Sequence, residues 1–358
     1  MNDGWEALEQ EAFRAAERGV NLQVAIVGAV ATTAPLVFGV AIGNRSLGLF
    51  CAIGGLNTAL VMAPVGRKRR FTWGWLTALS GTVAVGVATL THQPAWAAVL
   101  ATVVWSTAWA MLRALGPEGT LVGFTTTAVF VIVNGLPGTA SMTGWRMLEY
   151  AVGSAFALLL LSLPSPTTSG GVQPAIQWSS ILDRARQAGI VRRHAVRVGL
   201  VAGAATVLYR AAHLTFGYWV PLTAVAVLQP DAHRSEVRAL QRTAGTVVGT
   251  VIVAVVSLST SNELVLVAIV FVVSGALFAL KERGYFWLTM LLTPTALLMT
   301  STVRFYGWDI AITRLADTAV GLLVAVVAIE GVAHFRKWGG RRTSTEGADP
   351  TDPTDPTD

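Results

Sequence analysis

The chain is a succession of long apolar runs broken by short polar stretches, and that pattern constrains its fold more than any other feature. A helix that crosses a bilayer needs roughly 20 mostly apolar residues. Runs near that length recur at residues 22–42, 46–63, 72–90, 95–115, 120–136 and 147–163, then at 198–214, 218–229, 243–258, 263–280, 285–301 and 315–329. The runs are continuous rather than alternating, which favours helices over a β-barrel. Charged residues make up only 13% of the 358 positions and hydrophobic residues 53%, so the chain lacks the charge to cover a water-soluble globule of this size. The expected fold class is all-α: a polytopic membrane helix bundle.

The basic residues give an orientation. With the N-terminus placed in the cytoplasm, 21 of the 26 Lys and Arg fall on inner segments, Arg242 among them, and Arg45, Arg146, Arg210, Arg304 and Arg314 on outer ones. This asymmetry follows the positive-inside rule and puts both termini in the cytoplasm. It also accounts for the net charge of +6 without a nucleic-acid partner. Residues 1–21 read as an amphipathic interfacial helix with Trp5, Leu8, Ala12 and Ala16 on one face. Residues 336–358 read as a tail, basic and then acidic, ending in DPTDPTDPTD, a composition that cannot build a core.

The two halves resemble each other. Arg146-Met147-Leu148-Glu149-Tyr150-Ala151-Val152-Gly153 aligns with Arg314-Leu315-Ala316-Asp317-Thr318-Ala319-Val320-Gly321, and Gly81-Thr82-Val83 with Gly245-Thr246-Val247. Six spans per copy give both copies the same orientation, so the expectation is about twelve spans in two parallel six-helix repeats, 22–163 and 198–335, around an axis along the membrane normal. Residues 164–197 form the connecting linker with its own amphipathic segment.

The second half contains Tyr218-Trp219-Val220-Pro221-Leu222-Thr223-Ala224, then Leu228-Gln229-Pro230-Asp231, then Arg242-Thr243-Ala244-Gly245-Thr246-Val247-Val248-Gly249-Thr250. This succession resembles the fusaric-acid-resistance-like family of integral membrane proteins, which is related to aromatic acid exporters and plant malate channels. The Tyr-Trp-Pro elements are missing from residues 46–64. The resemblance implies a secondary transporter that exports aromatic or amphiphilic organic anions. An anion channel of the malate-channel type and a non-transporting membrane scaffold are the alternatives. The expected partners are the lipid bilayer, a small organic anion and a second copy of the chain in a homo-oligomer.

Candidate residues follow from the cost of polar groups in lipid. Arg146 with Glu149, and Arg314 with Asp317, are i,i+3 pairs on one helix face. A charge at mid-bilayer costs roughly 2.5–3.5 kcal/mol on insertion scales, so each must face protein or water. The arginines are candidates for attracting an anion and the two carboxylates for carrying a proton. Equally, each pair could be an ion pair fixing the outer end of its helix. Gln229 and Asn57 are further substrate-binding candidates, and Asp231 a third proton carrier or a helix cap. Pro221, Pro230 and Pro294 are candidate hinges, because proline removes a backbone donor and bends a helix. Trp73, Trp75, Trp96, Trp145, Trp219 and Trp308 fall near span ends and read as interfacial anchors. One cysteine and five scattered histidines offer no metal-ligand spacing. Neither a P-loop nor a hydrolase signature occurs, so no cofactor and no enzymatic activity is expected.

Overall fold

The structure, a computed structural model, describes residues 21–62, 67–163, 178–305 and 307–346. The interfacial helix expected before residue 21, most of the linker and the end of the tail lie outside these residues. The described residues form twelve α-helices, with three short 3₁₀ helices between them. Six precede residue 164: α1 (Leu22–Ala41), α2 (Arg45–Met62), α3 (Arg67–Thr91), α4 (Ala95–Ala110), α5 (Pro117–Gly135) and α6 (Thr143–Ser162). Six follow: α7 (Trp178–Ala211), α8 (Trp219–Val227), α9 (Ala232–Ser259), α10 (Glu263–Leu280), α11 (Tyr285–Ser301) and α12 (Asp309–Glu346). Among the described residues, seven helical stretches are long and apolar enough to cross a membrane: Leu22–Ala41, Arg45–Met62, Phe71–Thr91, Ala95–Leu115, His233–Ser259, Glu263–Arg283 and Asp309–Glu330.

Three helices depart from the sequence expectation. α7 is continuous from Trp178, so the amphipathic segment and the apolar run after Val198 form one rod of about 51 Å at 1.5 Å per residue. α12 likewise continues to Glu346, carrying the basic stretch at 336–342 in a helix rather than a tail. α8 has only nine residues, about 13 Å, against a hydrocarbon core of about 30 Å. It is bounded by breaks: His213 and Phe216 adopt left-handed backbone before it, and Leu228 is extended after it. All nine of its residues are buried.

Local chemistry explains the proline sites. Pro221 occupies the first turn of α8, where its missing N–H has no helical partner to lose, so it is not the mid-helix break that the sequence suggested. Pro230 lies in the break between α8 and α9. Pro294 is inside α11, and Pro35 inside α1. Each deprives the carbonyl four residues back of its donor, and in each case a glycine of another helix packs there. A Cβ on Gly249 of α9 would lie 2.6 Å from Met290 O, and one on Gly55 of α2 would collide with Ala31 O.

Most helix neighbours of the first half recur in the second with a shift of six, although α2–α5 and α3–α4 have no counterpart of similar extent. In the first half α1 packs on α2 and α6, α2 on α3 and α6, α3 on α5 and α6, and α4 on α5. In the second half α7 packs on α8 and α12, α8 on α9 and α12, α9 on α11 and α12, and α10 on α11. Between the halves, α4 meets α7 and α10 meets α1, while α5 meets α8 and α11 meets α2. Glycine contacts obey the same shift: Gly153 of α6 presses on Cys51 O of α2, and Gly321 of α12 on Val220 O of α8. α2 and α8 are the most enclosed helices of their halves, with 14 of 18 and all nine residues buried.

Candidate functional site

A cavity opens between the halves where α2, α5, α8 and α11 face one another. Ile53, Asn57, Thr125, Ala128, Leu222 and Thr293 contribute to its wall, with Tyr218 and Trp219 at the start of α8. Two arginines reach it from outside this ring, Arg242 of α9 and Arg314 of α12, and no carboxylate is among its lining residues. Both are almost fully buried, at 4% and 1% exposure. A buried cation survives only if hydrogen bonds or opposite charge compensate its lost hydration.

The compensation around Arg314 is partial. One guanidinium nitrogen donates to Thr318 Oγ1 at 2.5 Å and to Thr223 Oγ1 at 3.5 Å. The guanidinium carbon lies 4.3 Å from the centre of the Trp219 ring, a cation–π contact. Arg314 Nε and Arg242 Nε are buried without hydrogen-bond partners. Asp317, one turn along α12 and 2% exposed, does not form an ion pair with Arg314, and its Oδ2 is buried without a hydrogen-bond partner. Trp219 is therefore not an interfacial anchor. It is buried beneath a cation, whereas Trp96, Trp145 and Trp308 are exposed as anchors would be.

The sequence-equivalent pair lies elsewhere. Arg146 is half-buried, donates to Pro137 O at 2.5 Å and lies 5.1 Å from the Phe50 ring centre, outside the lining of the cavity. Glu149 is half-buried beside it and forms no ion pair with it. The other candidates divide as follows. Asn57 lines the cavity, its amide donating to Ile53 O at 3.0 Å. Asp231 is exposed and caps α9 by accepting from Arg234 N at 3.0 Å. Gln229 lines a different, smaller pocket at the end of α8 and accepts from Arg113 at 3.3 Å.

Arg242 escapes a reading of the sequence because it was counted among inner loop charges. In the structure it stands ten residues inside α9. The available signal was its place just before Gly245 and Gly249, since those glycines pack α9 against α11 and carry the arginine into the interior.

Residues 204–328, which include α8, Arg242 and Arg314, match the fusaric acid resistance protein-like family. Over these residues the chain is similar to that family. The match does not extend to the first half. The chain is 31% identical over 152 residues to an uncharacterized protein, ORF2, of Neisseria gonorrhoeae, covering 42% of this chain and 36% of that one. It is 33% identical over 139 residues to the inner membrane protein YccS of Escherichia coli (strain K12), and 28% identical over 133 residues to the uncharacterized protein YhfK of the same organism. These matches cover 38% and 37% of this chain and 19% of each relative, so the similarity spans about a third or less of the relatives' own length. No solved structure matches. With its apolar helices and an inner-membrane relative, the chain is a multi-pass protein of the cell membrane.

Proposed function

We propose that this protein is a member of the fusaric acid resistance-like family and a secondary transporter, not an enzyme, that exports aromatic or amphiphilic organic anions across the cell membrane. The observation that carries the reading is the pair of buried arginines facing a cavity between the two halves. Guanidinium groups bind carboxylates through directed, charge-assisted hydrogen bonds. Tyr218, Trp219 and Leu222 supply the apolar wall that an aromatic ring needs. In this reading Arg314 and Arg242 hold the anion, Asn57 hydrogen-bonds it and Asp317 carries the coupled proton. Pro294 provides the hinge in α11. Arg146 and Glu149 keep a structural role at the edge of the bundle, and Asp231 serves as a cap.

The architecture proposed with it has twelve spans in two parallel repeats, 22–163 and 198–335, with both termini cytoplasmic. The recurrence of helix neighbours at a shift of six supports it. The cavity then sits on the pseudo-two-fold axis, where rocking of one half against the other alternates access.

The test is export of benzoate from proteoliposomes under an imposed proton gradient or voltage. Wild-type flux that depends on the gradient, and that falls in Arg242→Gln and Arg314→Gln, supports the reading. Flux indifferent to both substitutions at normal reconstitution refutes it. The cation-lined cavity without carboxylates also favours a second reading, an anion channel. Unitary currents in a planar bilayer distinguish the two.

A further inference from the structure

A second pocket lies where the 3₁₀ turn at Met111–Leu115 meets the last turn of α8. It is lined by Arg113, Arg238, His194 and Gln229 on one side and by apolar groups, among them Trp109 and Phe124, on the other. Its polar side is built. Gln229, 8% exposed, is held at three points: its backbone N–H donates to Ser235 Oγ at 2.9 Å, its amide to Leu228 O at 2.9 Å, and Arg197 donates to its carbonyl. Its side-chain oxygen takes the hydrogen bond from Arg113. Arg238 is stacked 4.5 Å from the Tyr285 ring centre, and Tyr285 in turn donates to Ala226 O at 3.4 Å.

The electrostatics are one-signed. Arg113 is close enough to Arg238 and Arg234 for mutual repulsion, and the lining residues include no carboxylate. His194 at the pocket wall is buried, and its imidazole is pushed down to about 3, first by burial and then by Arg113 and Arg197. It is therefore neutral and can accept or donate one hydrogen bond without adding charge. A positive-inside arginine that served orientation alone would extend to headgroups. Arg113 instead turns into the protein, half-buried, toward Gln229. Like charges converging on an apolar-walled pocket gain most from an anion bearing a ring. Phe124 lines this pocket and the central cavity as well, so one aromatic side chain of α5 borders both.

We propose that this pocket is a second anion subsite, an inner vestibule where an aromatic carboxylate docks before passing Phe124 into the central cavity. The carboxylate bonds Arg113 and Arg238, and the ring lies against Trp109 and Phe124. The inference deepens the export reading and takes its ligand class from it, while the site itself rests on its own residues.

Binding of radiolabelled benzoate to the full-length protein in nanodiscs separates the two sites. The wild type is expected to bind two equivalents. Arg113→Gln and Arg238→Gln each weaken one equivalent about tenfold and leave the other unchanged, whereas Arg314→Gln weakens only the other. Arg238→Gln, whose side chain stacks on a ring rather than tying helix ends together, serves if Arg113→Gln does not fold. A single equivalent that responds to Arg314→Gln and to neither vestibule variant overturns the vestibule and leaves the central site standing. Absence of any binding overturns both. Displacement of the vestibule equivalent by an equal concentration of inorganic phosphate overturns the aromatic-carboxylate class in favour of a phosphate group, free or on a lipid.

Discussion

Replacing Arg314 by glutamine tests most directly whether the central cavity is the transport site. The guanidinium is 1% exposed, stacked on Trp219 and bonded to Thr318 and Thr223. Glutamine keeps a polar head able to reach a threonine but removes the charge and the stack. A hydrogen bond to a charged group contributes about 1.5–3 kcal/mol net, so an anion that relies on Arg314 should bind about 10–150-fold more weakly. The same range applies to Arg242→Gln. Because both cations face one cavity, the double variant should lose less than the sum of the singles. Arg146→Gln is the control: its residue is half-buried, stacked on Phe50 and outside the cavity, and its KM should stay within about twofold of wild type. Concentration-dependent initial rates of benzoate flux in proteoliposomes measure all four, with reconstituted protein quantified in each. An unchanged KM for Arg314→Gln, or an equal rise for Arg146→Gln, would refute the assignment.

Other predictions concern the supports of the site. Gly153→Ala drives a Cβ into the backbone carbonyl of Cys51, which cannot rotate away, and should cost about 1–3 kcal/mol, read as a lower thermal midpoint in detergent. Gly275→Ala meets only Ala29 Cβ at 3.7 Å and should be neutral or stabilise the helix by about 0.5–1 kcal/mol, so equal losses for the two glycines would contradict the packing. Trp219→Leu removes the ring beneath Arg314, worth about 0.5–2 kcal/mol, and should raise the KM for benzoate, while exposed Trp308→Leu should not. His194 is held neutral in the fold with its value near 3, against an ordinary value near 6.5 when unfolded. Its contribution is therefore complete above pH 6.5 and is lost as pH falls from there toward 3. Thermal midpoints between pH 7 and pH 4 should fall less steeply for His194→Phe than for wild type, and parallel slopes would count against the burial of a neutral imidazole.

The helices were legible in the sequence because membrane-crossing segments announce themselves as apolar runs. Ends found at Leu22, Ala95, Glu263 and Tyr285 coincide with those read from composition. The Arg146 and Arg314 strings end in Gly153 and Gly321, which pack on α2 and α8 in matching ways. What the strings hid was environment. Two arginines in equivalent words of sequence differ in burial because their surroundings differ: Arg314 packs against Trp219 of the short α8, and Arg146 lies near the exposed turn at 137. A charge at position 242 looked like a loop residue because hydropathy alone cannot tell a helix that begins in water from one that begins at its first apolar residue. Gln229 stood out in the sequence as a polar residue in an apolar run, but sequence spacing could not say which of two pockets it faces. Trp219 lies near a span end in the sequence, yet the left-handed residues at 213 and 216 fold its segment inward.

The proposed two-repeat architecture also bears on why its copies would be joined. By the Gly81 and Gly245 alignment, the position of Arg242 is held in the first half by Ala78. A symmetric pair of second halves would direct two copies of Arg242 and two of Arg314 at a common centre, and four guanidiniums in one dry chamber would repel each other strongly. In that proposed architecture, covalent fusion frees the copies to diverge, so that one can carry the cations while its twin provides a neutral wall.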